Sequence, residues 1–366
     1  MKGLSGIRKK IDGIDRKIVT LLNDRARLTL EVRKLKTKTG QGLFSPGRER
    51  EVYEKLSQFN RGPMKSETVR SIFREIMSAS LALEKPIRIA YLGPAGTFTH
   101  QAALVKFGSQ VDYVECDLIS DVFAAVEKRD AHYGIVPIEN SIEGAVDYTL
   151  DMFIDSSVKV CSEGELTISH HLLGKGALSK VRTLYSMRQV FGQCRQWLAR
   201  ELPHVRHLEV ASTALGAAFV ATQPASKGLA AIAGEVAASQ YRLEILARSI
   251  EDHGIHNVTR FLVIGQETPP PTGHDKTSIL FSVKDRVGAL YDMLVPFRKA
   301  GINLAKIESR PSKKKPWEYY FFVDLVGHVQ EARVNRALRD LEGACTFLKI
   351  LGSYPIAVER NSRRQG

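Results

Sequence analysis

Arg8, Arg25, Lys36, Arg48 and Glu49, with Ser80 and Glu84, have the side-chain types that hold a small dianion. Arginines and lysines on helices are ordinarily just solvated, and spacing alone does not lift Arg8, Lys36 or Arg48 above that reading. Arg25 differs. Apolar residues at Ile7, Ile11, Ile14, Ile18, Leu21, Leu28, Val32 and Leu35 step alternately by four and three, and Arg25 fills the seam position between Leu21 and Leu28. A guanidinium on a packed face needs a partner, because an unpaired buried charge is costly. On a later helical run, Ser80 and Glu84 continue the inward face of Val69, Ile72, Phe73, Ile76 and Met77. Charges turned inward suit a closed pocket better than an exposed stripe for nucleic-acid phosphates. Arg8 and Arg25 lie about 25 Å apart along a helix rising ~1.5 Å per residue. They cannot grip one small molecule from one straight helix. A functional Arg8 therefore reaches a second copy, and the seam predicts an intertwined homodimer.

A second set of candidates is neutral. It lies in the strings Gly93-Pro94-Ala95-Gly96-Thr97-Phe98-Thr99-His100, Pro137-Ile138-Glu139-Asn140-Ser141-Ile142-Glu143-Gly144, Gln193-Cys194, Ser212-Thr213-Ala214 and Asn257-Val258-Thr259-Arg260-Phe261. Taken singly, these are turn glycines, helix caps at Thr97, Ser141 and Ser212, and a strand residue at Thr259. Loops between strand ends and helix starts, such as 93–97, offer backbone N–H groups to anions. His170-His171 invites a metal reading, but neighbours on a strand point to opposite faces and no carboxylate-rich partner sits at ligand spacing. No metal is expected.

The elements that must position these residues fall into modules. Residues 1–86 read as all-α, with helices to about residue 39, near Arg48–Phe59 and over Ser66–Glu84, closed by Pro86. Residues 87–266 alternate strands (Ile87–Leu92, Val111–Cys116, Gly134–Pro137, Val181–Tyr185, Val205–Val210, Leu229–Ala233, Val258–Ile264) with helices (Gln101–Phe107, Ile119–Lys128, Phe191–Glu201, Thr213–Thr222). That is an α/β domain, expected to hold largely parallel sheets. A Pro-rich linker, 267–276, precedes a βαββαβ ferredoxin-like module at 277–356, and 357–366 is a basic tail. Lys313-Lys314-Lys315 reads as a solvated hairpin tip.

Composition narrows the classes. With 43% hydrophobic and 25% charged residues in 366, the chain is neither disordered nor fibrous, and no apolar run is long enough to span a membrane. No signal peptide is visible. Cys116, Cys161, Cys194 and Cys345 lie far apart, as solitary thiols of a reduced, cytoplasmic protein do. The net charge of +13 is concentrated at the front, where residues 1–85 carry 20 Lys and Arg against 10 Asp and Glu. That excess suits nucleic acid or a small polyanion, and the inward placement favours the latter.

The run Ile7-Arg8-Lys9-Lys10-Ile11-Asp12-Gly13-Ile14-Asp15, then Leu21-Leu22-Asn23-Asp24-Arg25, Lys36 and Pro46-Gly47-Arg48-Glu49, resembles the all-helical chorismate mutases. The resemblance implies that Arg25 and, from a second copy, Arg8 hold the substrate's carboxylates with Arg48 in support. Lys36 and Glu84 then bond the ether oxygen, Glu49 the hydroxyl and Ser80 a carboxylate. No nucleophile or cofactor is needed, since restraint and stabilisation of charge on the ether oxygen suffice. Ser45 stands where an aspartate often precedes the Arg-Glu pair, and Glu84 where some members carry glutamine. A glutamate must be protonated to donate, so mutase activity is expected to fall as pH rises through the Glu84 pKa, with a flatter profile in Glu84→Gln.

The strings of 87–265 together resemble prephenate dehydratase, which expels a ring hydroxyl and carbon dioxide to form phenylpyruvate. That resemblance makes Thr259 the donor to the departing hydroxyl. It makes Thr97, Asn140, Ser141, Gln193, Ser212, Thr213 and Arg260 the substrate-holding set, with Phe261 as a wall. Ser186-Met187-Arg188 replaces the usual Ser-His-Pro. Gly288-Ala289-Leu290 and Glu308-Ser309-Arg310-Pro311 resemble the regulatory ACT module, in which phenylalanine binds. Ala289, Leu290, Asn303, Leu304, Glu308 and Ser309 then line the effector site. Over about residues 5–355 the chain is similar to the bifunctional chorismate mutase/prephenate dehydratases. Chorismate and prephenate are the implied substrates, and L-phenylalanine is the implied feedback effector. The alternative is a dehydratase whose helical module serves only for dimerisation.

Overall fold

The computed structural model describes residues 2–39, 44–83, 86–252, 254, 256–284, 286–312 and 318–357, with the side chains at 2, 3, 33 and 36–39 outside that set. Two compact units emerge, one of residues 1–87 with 107–112 and the other of the remaining chain. In the first, α1 (Lys2–Thr39) runs unbroken for 38 residues, followed by α2 (Pro46–Phe59) and α3 (Ser66–Ala82). Helix α2 begins two residues before the Arg48 start expected from sequence. Proline has no N–H to leave unsatisfied and is at home in a first turn. The heptad seam of α1 faces water: Ile7 is 57% exposed, Leu21 66%, Leu28 62% and Leu35 65%.

The second unit contains two lobes and a terminal module. The first lobe is built from β1 (Arg88–Leu92), α4 (Phe98–Phe107), β2 (Asp112–Cys116), α5 (Ile119–Glu127), β3 (Tyr133–Asn140), β4 (Gly144–Ala145), α6 (Asp147–Asp155) and β5 (Lys159–Thr167). The chain then leaves for the second lobe: β6 (His171–Gly174), β7 (Thr183–Ser186), α7 (Arg188–Gln193), α8 (Arg195–Glu201), β8 (Arg206–Glu209), α9 (Thr213–Thr222), β9 (Leu229–Ala233), α10 (Glu235–Tyr241) and β10 (Glu244–Ala247). It returns as β11 (Val258–Gly265), which inserts between β3 and β5 in the sheet order β2-β1-β3-β11-β5. The second sheet runs β10-β6-β9-β7-β8.

The sheets are mixed, not largely parallel. β1 pairs β3 in parallel, but β11 runs antiparallel to both neighbours. In the second sheet β6 is antiparallel to β9 and β10 to β6, while β7 is parallel to β8 and β9. The reason is topological: β5 and β11 lead out to and back from the same insertion, so they traverse the first sheet in opposite directions. A single expected helix over Phe191–Glu201 divides at Cys194, whose φ of −111° and ψ of 15° leave the helical basin. The Asp252 carboxylate accepts from Gln196 N and Trp197 N at the start of α8, satisfying donors that a continuous helix would have bonded internally.

The terminal module consists of β12 (Asp275–Ser282), α11 (Ala289–Lys299), β13 (Leu304–Pro311), β14 (Tyr319–Val326), α12 (Ala332–Glu342) and β15 (Phe347–Pro355), in the sheet order β13-β14-β12-β15. This is the βαββαβ order read from sequence. Its sheet is covered on both faces. Ile279, Phe281, Val323 and Leu325 pack with Met293, Phe297, Val334 and Leu338 of its own helices. Alternate residues Leu280, Tyr320, Phe322, Leu351 and Tyr354 join the first lobe's core with Phe123, Phe153 and Leu262. Gly352 allows the close approach, since a Cβ there would meet the Val160 backbone. Lys313–Lys315 and the tail from residue 358 lie outside the described residues. Cys116, Cys161 and Cys194 are buried, and burial pushes the Cys161 thiol up to about 12, so it stays protonated and inert.

Candidate active sites

In the helical unit, Arg25 finds the partner its seam position demands. Its Nη1 donates to Ser80 Oγ at 2.7 Å, and Ser80 Oγ donates onward to Ile76 O at 2.8 Å. Ser80 is 7% exposed, so this hydroxyl is a buried strut that aims the guanidinium. Burial, then the nearby positive charge of Arg48, lowers the Arg25 pKa. Two cations held near each other, with a neutral serine between one of them and the core, form a site that an anion would relieve. Arg48 also pairs with Glu51 at 2.7 Å on the exposed side of α2. Ser45 is the residue just before α2, and its side chain does not cap the helix. Glu49 is half-buried, and after burial itself its charge is the next cause raising the Tyr53 pKa. Arg8 is exposed near the start of α1. Lys36 lies in α1 with its side chain outside the described set, and Glu84 lies outside the described residues.

Between the two lobes a chain of amides ends on Thr259. Asn140 Oδ1 accepts from the backbone N–H of Ile142 at 2.9 Å and of Glu143 at 3.0 Å, which fixes which end of the amide is oxygen. Its Nδ2 therefore donates both protons, to Asn257 Oδ1 at 2.7 Å and to Thr259 Oγ1 at 2.8 Å. The same logic propagates. Asn257 Nδ2 donates to Gln193 Oε1 at 3.0 Å, so His170 Nε2, 2.8 Å from that oxygen, carries a hydrogen. Burial lowers the His170 pKa, leaving a neutral ring whose Nδ1 is buried and unpartnered. Thr259 Oγ1 is thus an acceptor from Asn140, and its own hydrogen is free to turn toward a bound molecule.

Both strands and both crossovers meet here. Register pairs Thr259 with Asn140, Ile168 N donates to Asn257 O at 2.8 Å, and Ile250 N donates to His170 O at 2.9 Å. Ser141 welds the junction, its Oγ donating to His256 O at 2.7 Å and accepting from Val258 N at 2.9 Å. Phe261 is buried two residues along β11. Sequence reading missed His170, Asn257 and Glu143 as members of this network. The available signal was that Glu143 and Asn257 lie within quoted strings, while His170 stood out only as half of the His170-His171 pair.

Other expectations fare differently. The 93–97 loop does not offer a free anion cradle. Gly93 N donates to Cys116 O, Ala95 N to Glu115 Oε2, Gly96 N to His100 Nδ1 and Thr97 N to Pro94 O. Thr97 Oγ1 donates to Leu92 O and accepts from His100 N, so it serves α4. The loop still borders the network, because Phe98 meets His170 edge-on at 5.7 Å. Ser212 caps α9 by accepting from Leu215 N, and Thr213 is buried in its first turn. Among the described residues no direct hydrogen bond joins either to Thr259. Arg260 is placed elsewhere. Strand alternation sends its guanidinium to the opposite face from Thr259, where it lies 2.7 Å from both Glu163 and Asp324. The substrate-holding part expected of it does not fit those surroundings.

In the terminal module, Gly288 supplies the left-handed turn (φ 80°) that starts α11, with Ala289 buried and Leu290 38% exposed. Glu308 is half-buried on the face of β13 that carries Lys306, Leu304 is half-buried on the face toward the module's own helices because the register shifts between Leu304 and Lys306, and Asn303 and Ser309 are exposed. The expected effector residues therefore divide between the start of α11, the turn before β13 and both faces of β13.

The family model for chorismate mutase type II matches residues 7–85, that for prephenate dehydratase residues 89–269 and that for the ACT domain residues 277–343. A bifunctional chorismate mutase/prephenate dehydratase of Aquifex aeolicus is 51% identical over 363 residues, covering 98% of this chain and 99% of the relative. The chain belongs to the bifunctional chorismate mutase/prephenate dehydratases. The relative from Pseudomonas aeruginosa is 45% identical, covering 97% of this chain and 98% of its own. A crystal structure of prephenate dehydratase from Arthrobacter aurescens in complex with L-Phe aligns with a TM-score of 0.68 at 32% identity, covering 74% of this chain and 90% of that one. The helical unit is thus the chorismate mutase module, the two lobes the dehydratase and the terminal module an ACT domain. Among the described residues no helix is long and apolar enough to cross a membrane.

Proposed function

We propose that the chain is a homodimer that rearranges chorismate to prephenate in its helical units and converts prephenate to phenylpyruvate between its lobes, under feedback by L-phenylalanine at the ACT module. In the mutase site, Arg25 and Arg48 take the substrate carboxylates with Arg8 of the partner subunit. Ser80 aims Arg25, Glu49 and Ser45 are assigned to the hydroxyl end, and Lys36 and Glu84 are assigned to the ether oxygen. The exposed seam supports the dimer, because a stripe of that length left in water invites a second copy.

In the dehydratase site, prephenate takes up one proton and releases carbon dioxide and water as the ring becomes aromatic. The observation that carries the reading is the fixed polarity of the Asn140 amide, which leaves Thr259 as a donor aimed away from its own network. Thr259 hydrogen-bonds the leaving hydroxyl and so stabilises the charge developing there. The departing hydroxyl takes its proton from solvent and leaves as water, since the one ring hydrogen of the neutral His170 is committed to Gln193. The first-turn N–H groups of Thr213 and Ala214 suit a substrate carboxylate, with no acceptor one turn back in the helix. Phenylalanine is assigned to Ala289, Leu290, Asn303, Leu304, Glu308 and Ser309.

Supplying purified protein with chorismate alone tests the whole scheme. Chorismate loss with phenylpyruvate formation is expected, and added phenylalanine should slow the second step. If prephenate is consumed but chorismate is not, the helical unit is only a scaffold. The seam has its own test. Leu21→Lys with Leu28→Lys should give a monomer by sedimentation, and mutase turnover should fall more than tenfold because Arg8 can no longer reach its site. Full turnover by a monomer would exclude the shared site.

A further inference from the structure

The ACT sheet grips the two strands that carry Asn140 and Thr259, at the very next residues. In the β3–β11 register, Thr259 faces Asn140 and Arg260 faces Glu139. The first pair presents its side chains to the amide network. The second pair projects from the other face into the ACT sheet. Arg260 Nη1 lies 2.7 Å from Asp324 Oδ2 on β14, and Lys306 Nζ on β13 lies 2.8 Å from Glu139 Oε2. Glu163 of β5 completes the set, 2.7 Å from Arg260 and 3.0 Å from Lys276 on β12.

Apart from Glu139, whose side chain is 40% exposed, this cluster is buried. Side-chain exposure is 12% for Arg260, 12% for Lys306, 10% for Asp324 and 3% for Glu163. Burial alone would lower the Arg260 pKa, but Tyr354, Asp324 and Glu163 outweigh it and hold the guanidinium charged. Breaking one partner of such a cluster leaves a charge without water or counter-ion, so the cluster resists independent movement of the two sheets. Lys306 sits two residues from Glu308 on the same face of β13, and an irregularity in register between Leu304 and Lys306 turns Leu304 toward the helices. A shift of that strand therefore moves a charge paired with the residue before Asn140.

We infer that Arg260 and Glu139 are positioning residues, through which the ACT sheet sets the geometry of the Thr259–Asn140 pair and by which an effector at β13 alters dehydratase turnover. The inference rests on the proposed role of Thr259 and adds to it the route of control. Arg260 in this account is a strut between sheets.

Three full-length variants test it: Lys306→Met, Asp324→Asn and the exchanged pair Glu139→Lys with Lys306→Glu. Mutase turnover in the same chain measures active enzyme, so dehydratase rates are read relative to it. The two single variants should lower kcat for prephenate about tenfold while KM changes less than twofold, and should weaken phenylalanine inhibition at least fivefold. The exchanged pair should recover both properties to within threefold. Weakened phenylalanine inhibition separates misalignment from partial unfolding, which would lower apparent kcat but leave KM and inhibition of the remaining active enzyme as in wild type. Wild-type kcat and inhibition in both single variants would overturn the proposal, as would an exchanged pair no better than Lys306→Met. Failure of the dehydratase reading itself would look different, as wild-type protein making no phenylpyruvate from prephenate.

Discussion

Thr259→Val is expected to lower dehydratase kcat by about 10²–10³ with little change in KM, because it removes one donor aimed at developing charge. Valine matches threonine in shape, so the buried strand keeps its packing. What disappears is the hydrogen that the Asn140 amide leaves free. Asn140 keeps its bond to Asn257 and its two backbone donors, so the network is not dismantled. Asn140→Asp should act at the same point by reversing polarity. A carboxylate oxygen beside Thr259 Oγ1 would accept the threonine proton and withdraw it from substrate. The check is phenylpyruvate formation at saturating prephenate. A valine variant within threefold of wild type would remove Thr259 from the mechanism.

Arg25→Met should cost the mutase about 100-fold in kcat/KM, the scale of losing a charge-assisted bond to a carboxylate in a shielded site. Stability should move the other way or stay level. Methionine retains the apolar stem, and the substitution removes repulsion from Arg48 and the desolvation of a half-buried charge. Ser80 keeps its bond to Ile76 O, so no buried hydroxyl is stranded. Thermal unfolding and chorismate turnover on the same sample provide the measurement. A variant that loses activity together with several degrees of melting temperature would mark Arg25 as a structural residue rather than a substrate anchor.

Much of this molecule is legible in its residues. The heptad seam of α1, the βαββαβ order of the ACT module and the caps at Thr97 and Ser212 follow from local periodicity and short-range hydrogen bonding, which neighbouring residues alone dictate. So does the special standing of Arg25, since a charge in an apolar seam stands out without coordinates. Asn140, Gln193 and Thr259 were also found, each within a distinct string, although Asn257 and His170 between them were not.

Tertiary structure decided what those strings do. Whether Arg260 faces substrate or the ACT sheet depends on which side of β11 the second lobe returns to, and strand alternation then forces Arg260 and Thr259 to opposite faces. The 93–97 loop could have been an anion cradle until Glu115, from another strand, took the Ala95 N–H. The donor state of Thr259 hangs on an amide orientation set by two backbone groups at residues 142 and 143 and passed on through residues 117 and 64 positions away along the chain. Periodicity reports which face of an element is apolar. Hydrogen-bond polarity is a property of partners brought together from distant segments, and no local pattern encodes it.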